Sequence, residues 1–397
     1  MKLRVGFNAK FLVDYNLRGF NRYTFCLLKQ LFEQDSFEVV LFTERRSPIH
    51  PAFAQALPVE TIVLPSPRSL VWEQIVLPSA LRRHQIQLFH APADGGVPAW
   101  RVCPYILTYH HAVDRSLEYL IGKGELSGTL ADYLTQEQGI RGRYLKHRHA
   151  LLRWIYLQRA TRVIAVSQYG KWELVELLGV PEHKVEVIYE AADSSFCTTI
   201  PPVAVEAVRV KYRLPRGYLL YVGGFERRKN VEGLLRTFVE ARKTGIEESL
   251  VLVGNGADLV GAKAVARSLG LEEGRDVVFL GRIHEDLPAL YRGATAFITL
   301  SWGESFCFPV LEAMSCGTPV IASNLGAIPE IVTDGGILLD PRNMSETVEA
   351  IKVVTSRKEL RAQLIARGLK RAKSFSWNKT AQQTANLYQE AIRNRRN

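Results

Sequence analysis

The sequence predicts an α/β protein built from two doubly wound domains, and a recurring pattern of short apolar runs is the main reason. Runs rich in Val, Ile, Leu, Phe and Tyr are each followed by Gly, Asp, Asn or Ser and then by a longer stretch with helical spacing. This is the pattern of βα units on a parallel sheet. The length of 397 residues exceeds the roughly 250 at which single cores stop growing, so we expect two domains.

The apolar runs predict seven strands in the first half of the chain and six in the second. The first seven are LRVGFNA, EVVLFT, ETIVLP, LFHAP, YILTYHH, RVIAVS and VEVIYE. The other six are GYLLYVGG, SLVLVGNG, DVVFLG, TAFITLS, TPVIAS and GILLD. Ligands of such sheets bind at the carboxyl ends of the strands, so we expect the active site in a cleft between the two domains.

One irregular stretch, between Ala192 and Gly217, interrupts the pattern and contains three prolines. We therefore expect a Rossmann-like N-terminal domain over 1–195 and a second one over 196–375. The last residues, 376–397, predict an amphipathic helix that packs back on the N-terminal domain. Its small or apolar positions, three or four apart, are Trp377, Ala381, Ala385, Tyr388 and Ile392.

The composition limits the class of protein. Hydrophobic residues make up 47% of the chain and charged residues 23%, which is an ordinary globular balance. No run approaches the roughly 18 apolar residues of a membrane span, and the opening is too short and too soon polar for a signal peptide. We therefore expect a cytoplasmic protein. The five cysteines are scattered, without a CxxC pair, which favours neither a disulfide framework nor a zinc site.

The most informative stretch runs from Thr299 to Asp340. It starts at a strand end, passes through a loop with Glu304 and enters a helix whose first turn is marked by Pro309. Free amides at the start of this helix, from Ser305 to Val310, would suit a diphosphate. Glu312, one turn inside, could accept hydrogen bonds from the vicinal hydroxyls of a ribose.

The segment ESFCFPVLE, residues 304–312, followed by AMSCGTPVIAS, resembles the signature of glycosyltransferase family 4. The resemblance implies the GT-B fold, in which two Rossmann-like domains face each other across a cleft. It also implies retaining transfer from a nucleotide-sugar donor, held mainly by the C-terminal domain, with no metal and no cofactor. Glu312 would bind the donor ribose and Glu304 would lie beside the transferred sugar. Four further donor-binding candidates stand between them: Ser305, Phe306, Cys307 and Phe308.

A second motif, YVGGFERRKNVEGLLRTF, joins a strand to a helix through a basic turn. Cations fixed there would stabilise the charge that develops on a departing phosphate. Similar family members offer an Arg just after the strand glycine, where this chain has Gly224, and then a Lys. Lys229 is therefore the firmer catalytic assignment, and Arg228 or Arg227 must supply the second charge. No DxD-like metal pair accompanies this turn, so protein cations are expected to replace a divalent ion.

In the N-terminal half, YILTYHHAV is similar to the family's Thr-x-His-Asp pattern. This match places His110 against the donor sugar and leaves His111 at the position where an Asp is usual. The stretch VDYNLRGFNRYTF resembles the Gly-rich turn before the family's first helix, with Gly19 in place and Asn21 where a second Gly is common. Such a turn would let backbone amides approach a phosphate or the acceptor.

Two secondary matches add donor-pocket candidates. In GRIHEDLPALYRGA, Ile283 and His284 would flank the nucleobase. In VLVGNG, Gly254 and Gly256 would line the donor pocket. The acceptor-facing half offers fewer specific motifs, because a few side chains in a shared pocket decide specificity.

The formal net charge of +11 requires a separate explanation. The most basic segment, 141–162, has no acidic residue and seven basic ones: Arg141, Arg143, Lys146, Arg148, Arg153, Arg159 and Arg162. It predicts either an ordinary solvated helix or a peripheral contact with the anionic inner face of a membrane, which would bring a lipid-linked acceptor within reach. Motifs typical of nucleic-acid binding are absent from the sequence, so nucleic acid is not an expected partner.

The sequence thus predicts a retaining hexosyltransferase of glycan or glycoconjugate biosynthesis that uses a GDP-, UDP- or dTDP-sugar. The acceptor would be a glycan, a lipid-linked sugar or a small molecule. Two alternatives stay open: a nucleotide-sugar epimerase of the same fold and a non-catalytic nucleotide-sugar binding protein. An epimerase would convert the donor with no acceptor present.

Overall fold

The computed structural model describes residues 2–12, 19–34, 37–45, 49–57, 59–110, 113–123, 140–256 and 258–396. These residues form two compact units. The first contains the described residues of Met1–Gly122, Ala131–Glu190 and Ser376–Asn397, and the second contains those of Lys123–Leu130 and Ala191–Phe375. The division after Glu190 lies a few residues before the boundary expected at 195.

The first unit contains a seven-stranded sheet in which neighbouring strands run parallel. Its strands are β1 (Leu3–Asn8), β2 (Phe37–Glu44), β3 (Glu60–Leu64), β4 (Leu88–Ala91), β5 (Tyr105–Tyr109), β6 (Arg162–Ala165) and β7 (Val185–Val187). Their order is β3-β2-β1-β4-β5-β6-β7. The central strands β1, β4 and β5 are covered on both faces, which explains their nearly continuous apolar sequences.

The second unit contains a six-stranded parallel sheet. Its strands are β8 (Tyr218–Val222), β9 (Ser249–Val253), β10 (Val277–Leu280), β11 (Ala296–Thr299), β12 (Val320–Ser323) and β13 (Ile337–Leu339). They lie in the order β10-β9-β8-β11-β12-β13. All thirteen strands expected from the apolar runs are present, so the prediction of two doubly wound α/β units is confirmed.

Each sheet has one point at which the winding direction reverses. In the first unit it lies between β1 and β4, where Val5 pairs with Leu88. In the second it lies between β8 and β11, where Ala296 pairs with Leu219. Loops diverge from the two neighbouring strands at such a point and leave a crevice at their carboxyl ends, which is where ligands of doubly wound sheets bind.

Helices connect the strands in both units. The first unit has α1 (Gly19–Glu33), α2 (Pro51–Ala56), α3 (Ser69–Val71), α4 (Leu77–Arg83), α5 (Val113–Gly122), α6 (Ile140–Arg159) and α7 (Gln168–Trp172). The π turns Trp72–Val76 and Glu173–Leu177 extend α3 and α7, and a 3₁₀ turn spans Glu182–Lys184. No helix in the described part of the chain combines the length and the apolar character that a membrane crossing requires.

The helices of the second unit follow the strands in the same alternating way. They are α8 (Pro202–Lys211), α9 (Val231–Lys243), α10 (Leu259–Ser268), α11 (Leu287–Gly293), α12 (Phe308–Ser315), α13 (Ile328–Val332), α14 (Met344–Ser356) and α15 (Lys358–Ala372). A 3₁₀ turn spans Arg227–Lys229. The last helix, α16 (Trp377–Arg396), belongs to the first unit and packs on α1.

Each unit has its own apolar core between sheet and helices. In the first, Trp72 and Leu157 pack with strand residues such as Phe89. In the second, Phe238 of α9 and Ile351 of α14 pack against the sheet. Burial of such side chains contributes about 1.5–3 kcal/mol each and holds the strand ends, and hence the loops that follow them, in place.

Candidate functional site

Two loops meet at the switch point of the second unit. One follows β8 and contains the 3₁₀ turn Arg227–Lys229, and the other follows β11 and contains Glu304. A backbone bond of 2.8 Å from the Trp302 amide to the Arg228 carbonyl joins them. Asn230, in the left-handed conformation at the start of α9, adds a 3.0 Å bond from its side-chain amide to the Leu300 carbonyl. The two loops are therefore fixed relative to each other.

The Glu304 carboxylate lies at the centre of this junction and is nearly buried. Its Oε1 accepts from Lys229 Nζ at 2.6 Å and from Ser301 Oγ at 2.8 Å, and its Oε2 lies 3.4 Å from Arg228 Nη1. Burial alone would raise the pKa of Glu304, but Lys229 and then Arg228 outweigh it and hold that pKa below its ordinary value. Glu304 is therefore an anion that holds two cations in position.

The structure distinguishes the two candidate arginines of the basic turn. Arg228 faces Glu304, whereas Arg227 is exposed. The side chains of Arg228 and Lys229 keep 29% and 13% of their surface accessible, so an anion can reach both cations. Gly224, just beyond β8, accepts a bond from the Tyr221 hydroxyl through its carbonyl.

Helix α12 begins directly after the Glu304 loop, with Cys307 in the left-handed conformation at φ 72° and ψ 66°. The expectation of free amides from Ser305 to Val310 needs correction. Pro309 has no amide hydrogen, and the Val310 amide donates to the Cys307 carbonyl at 3.2 Å. An anion at this helix start must therefore use amides that precede Pro309.

Glu312 lies inside α12 and is only 2% exposed. The hydroxyl of Tyr291, from α11, donates to Glu312 Oε2 at 2.9 Å. Tyr291 is itself fully buried against Phe196 and Phe297. This bond fixes the orientation of one carboxylate oxygen, a role for Tyr291 that the sequence did not indicate.

The loop between β12 and α13 supports the Glu304 loop from behind. The Ala327 amide donates to the Glu304 carbonyl at 2.8 Å. Gly326 has φ +65°, and a Cβ at this position would lie 2.7 Å from both the amide nitrogen and the carbonyl oxygen of Glu304. Only glycine allows this approach. Gly326 was not among the predicted site residues.

The secondary candidates lie at neighbouring strand ends of the same unit. Gly254 follows β9, and a Cβ there would collide with the Gly223 carbonyl oxygen, so the loops after β8 and β9 approach closely because Gly254 lacks a side chain. Gly256 lies in the same loop, near the Phe225 backbone. Ile283, which is buried, and His284, which is partly buried, follow β10. All of these residues lie at the carboxyl edge of the sheet.

In the first unit, His110 follows β5 at the carboxyl edge and is 8% exposed. Its Nε2 donates to the Pro92 carbonyl at 3.0 Å, and its Nδ1 lies 3.3 Å from Glu190 Oε1. The ring packs against Phe20 and Tyr23 of α1, with centroids 4.8 Å apart in each case. Its backbone amide donates to Asp94. Both ring nitrogens therefore face protein acceptors, a feature that the motif did not predict.

The other predicted site residues of the first unit lie only partly within the described residues. Gly19 begins α1 with φ +42° and nothing within 4 Å of a Cβ placed there. Asn21 lies within α1 and is not among the residues with positive φ, so its tolerance of left-handed angles is not used. The turn residues 13–18 and His111 lie outside the described residues.

Comparison with known proteins agrees with this arrangement. Residues 17–196 match the family described as Glycosyltransferase Family 4, and residues 204–371 match the one described as Glycosyl transferases group 1. The chain belongs to glycosyltransferase family 4. This confirms the resemblance seen in residues 304–312.

The family 4 chain has relatives among both sequences and solved structures. It is 35% identical over 237 residues to the O-antigen chain mannosyltransferase B of Escherichia coli, which covers 58% of this chain and 61% of that protein. The chain thus aligns with less than two thirds of the length of such curated relatives. Sucrose-phosphate synthase from Thermosynechococcus elongatus superposes with a TM-score of 0.73 at 20% identity, over 98% of this chain and 99% of that one.

A further structure, Anabaena Alr3699/HepE in complex with UDP and glucose, has a TM-score of 0.71 at 17% identity and covers 98% of this chain and 100% of its own. At such identities the two superpositions show the fold alone. Together with the two parallel sheets, they give this family 4 member the two-domain, Rossmann-like GT-B fold that the resemblance implied.

Several residues around the family 4 motifs were not identified from the sequence. Ser301, Tyr291, Glu190 and Gly326 each contact a predicted site residue. Of these, Glu190 offered the clearest signal, because it is an acidic residue at the carboxyl end of a predicted strand, VEVIYE. The others lie in ordinary loop or helix sequence, and their contacts depend on how the segments pack together.

Proposed function

We propose that this protein is a retaining, metal-independent glycosyltransferase. It transfers a hexose-type sugar from a nucleoside diphosphate sugar to a glycan, a lipid-linked sugar or a small-molecule acceptor. The observation that carries the proposal is the junction at the β8–β11 switch point, where Glu304 holds Lys229 and Arg228 directly ahead of the helix that bears Glu312. The two cations suit a diphosphate, and Glu312 suits a ribose.

The reaction breaks the bond between the sugar C1 and the β-phosphate oxygen and forms a bond between C1 and the acceptor oxygen. Negative charge develops on the departing diphosphate, and Lys229 with Arg228 stabilises it, which is the role that a divalent ion plays in other enzymes. The acceptor attacks from the face that the phosphate leaves, and the acceptor proton passes to a phosphate oxygen. This chain's residues therefore position the reactants and stabilise charge, and none acts as a covalent nucleophile.

The relatives suggest which donors to test first. One similar protein is named a mannosyltransferase, and one structure of the same fold contains UDP and glucose. A panel of GDP-, UDP- and dTDP-sugars, including a mannosyl donor, should be screened by thermal shift against the corresponding free nucleotides. Binding of a donor raises the unfolding temperature, and a higher affinity for the folded state raises it further.

The decisive experiment is a transfer assay with the best donor and a panel of glycan acceptors. We expect acceptor-dependent release of nucleoside diphosphate and a product whose anomeric configuration, read by NMR, equals that of the donor. Activity of metal-free enzyme should be unchanged by EDTA. Inverted product, or a rate that depends on added divalent ion, would contradict the mechanism. Conversion of the donor without acceptor would indicate an epimerase, and binding without turnover a binding protein.

We also propose that this enzyme binds peripherally to an anionic membrane surface. Leu151 and Trp154 on α6 are each 58% exposed, in the most basic stretch of the sequence. Exposed apolar side chains beside Lys and Arg favour the interface of an anionic membrane. Arg153 hydrogen-bonds to Tyr109 and so contributes less to this surface.

A further inference from the structure

The buried contact between His110 and Glu190 lies outside the motifs that predict the donor site. Glu190 comes just after β7 and is 2% exposed, and His110 comes just after β5 and is 8% exposed. Both follow strands of one parallel sheet, so both lie at its carboxyl edge, where ligands of this fold bind. A carboxylate that is removed from water to this extent requires a cation or hydrogen-bond donors.

The compensation for Glu190 comes from a single side chain within the described residues. Glu190 Oε1 is buried without a well-aligned hydrogen bond, and His110 Nδ1 lies 3.3 Å from it. The other ring nitrogen of His110 donates to the Pro92 carbonyl, which can only accept. With a carboxylate at one nitrogen and a carbonyl at the other, the ring has two acceptors. The only protonation state that satisfies both carries a hydrogen on each nitrogen.

The other groups around His110 agree with a positive charge. Asp94, after β4, accepts from the His110 backbone amide, and Tyr23 of α1 packs edge-on against the ring. His90 on β4 is fully buried; burial, and then the charge of His110, lower its pKa to about 3, so it stays neutral. Among the described residues, the polar groups found around His110 are thus two carboxylates, one carbonyl, one phenol and one neutral imidazole.

We infer that Glu190 is a positioning residue that keeps His110 as an imidazolium, with both of its ring N–H groups directed at protein acceptors. His110 is then a fixed positive charge at the carboxyl edge of the first sheet. It has no free lone pair with which to act as a general base. In the reaction, such a charge would stabilise the negative charge that develops on the departing diphosphate, a role that rests on the proposed function.

The direction of titration supports this inference. Burial alone lowers the pKa of His110, but Glu190, followed by Asp94 and the Pro92 carbonyl, raises it by more, so the pKa lies above its ordinary value of 6.5. Replacing Glu190 by Gln removes the largest of the opposing contributions and leaves only Asp94 and the Pro92 carbonyl to oppose burial. In that variant we expect the His110 pKa to fall below 6.5.

The test is a titration of the full chain labelled at histidine and followed by NMR. The His110 resonance is identified by its loss in His110→Gln. In wild type it should titrate above pH 6.5, in Glu190→Gln below it, and in Glu190→Asp, which keeps the charge, above it again. Glu173→Gln is the matched control, because Glu173 is another fully buried carboxylate of the same unit and bonds Ser116 instead. It should leave the His110 titration unchanged.

Kinetics separate this inference from the proposed function. If the imidazolium assists transfer, kcat/KM should fall as pH rises through the His110 pKa, and in Glu190→Gln this fall should move to lower pH. At a pH above the His110 pKa of both proteins, a pKa lower by one pH unit reduces the charged fraction, and hence the rate, about tenfold.

A His110 resonance insensitive to Glu190→Gln would overturn the pairing, and an unmoved rate profile would overturn its role in turnover. No transfer with any donor, despite the expected titration, would contradict only the glycosyltransferase proposal.

Discussion

Lys229 has two roles at the residue scale, because it is both a candidate phosphate ligand and the closest partner of buried Glu304. Lys229→Ala should lower turnover about 10²–10³-fold, the usual effect of removing one electrostatic donor to a developing anion. It should also lower the free energy of unfolding by roughly 1–3 kcal/mol, since Arg228 and Ser301 still face the carboxylate. Steady-state rates and urea unfolding measure the two losses separately.

The stability loss in Lys229→Ala should depend on pH in a definite direction. The pKa of Glu304 in the folded protein lies below its ordinary value of 4.5, because Lys229 and Arg228 outweigh burial. The stabilisation is therefore fully present above pH 4.5 and is lost as pH falls through the folded value. Lys243→Ala is the control, because Lys243 lies on the surface of α9 and pairs only with Glu240 among the contacts described. Equal losses in the two variants at pH 7 would refute the role of the buried pair.

Cys307 is a residue whose backbone, rather than its thiol, matters. It is buried at φ 72°, a conformation that costs a non-glycine residue about 1–2 kcal/mol. Cys307→Gly should stay within about 1 kcal/mol of wild type and keep activity, because relief of this cost offsets the lost packing. Cys307→Val should lose about 2 kcal/mol and most activity, since branched side chains tolerate positive φ least. Thermal unfolding and transfer rates would decide, and a Val variant as stable as Gly would contradict the argument.

At the scale of elements, the proposed donor site depends on three loops that hold one another. The loops after β8 and β11 are joined through Glu304 and the Trp302–Arg228 backbone bond, and the loop after β12 supports them through Ala327. None of these links is local in sequence. A substitution in the third loop should therefore affect the chemistry of the first two.

Gly326→Ala tests this coupling. The added Cβ would lie 2.7 Å from two backbone atoms of Glu304, and φ is +65°. The Glu304 loop must shift, so we expect a stability loss of about 2–4 kcal/mol and at least a roughly tenfold loss of turnover. Gly270→Ala is a matched control, with φ +76° and nothing within 4 Å of its Cβ. It should cost only about 1 kcal/mol and leave turnover intact. Equal kinetic effects in both would show that the loops are not coupled.

At the scale of the whole chain, the sequence predicted the fold well because the fold is recorded in a periodic pattern. Continuous apolar strands alternating with helices can be read locally, and the motifs at residues 221–238 and 304–312 pointed to the two loops that meet at the candidate site. What could not be predicted was the pairing between distant segments. Tyr388 was expected only to pack, yet its hydroxyl lies 2.6 Å from His90 Nδ1, 298 positions away. Glu190 likewise needed the sheet order before His110 could be recognised as its partner.

The net charge of +11 is a property of the whole chain, and a role for it in membrane binding can be tested at α6. If Leu151 and Trp154 insert into an anionic surface, wild type should cosediment with vesicles that contain phosphatidylglycerol and not with neutral ones. The attraction combines apolar burial with charge, so raising the salt should weaken it while the apolar contribution persists. The double variant Leu151→Ala/Trp154→Ala should then lose most binding at low salt.

A matched pair of substitutions shows whether the effect belongs to α6 or to exposed apolar surface in general. Leu70 and Ile75 are 47% and 64% exposed on another helical segment of the first unit, so Leu70→Ala/Ile75→Ala removes a comparable area. This control should bind vesicles as wild type does. If both double variants lose binding equally, the apolar contribution is unspecific. If neither does, charge alone accounts for the binding and Leu151 and Trp154 do not insert. If wild type fails to bind at low salt, the basic segment is an ordinary solvated helix, and the charge serves the anionic donor instead.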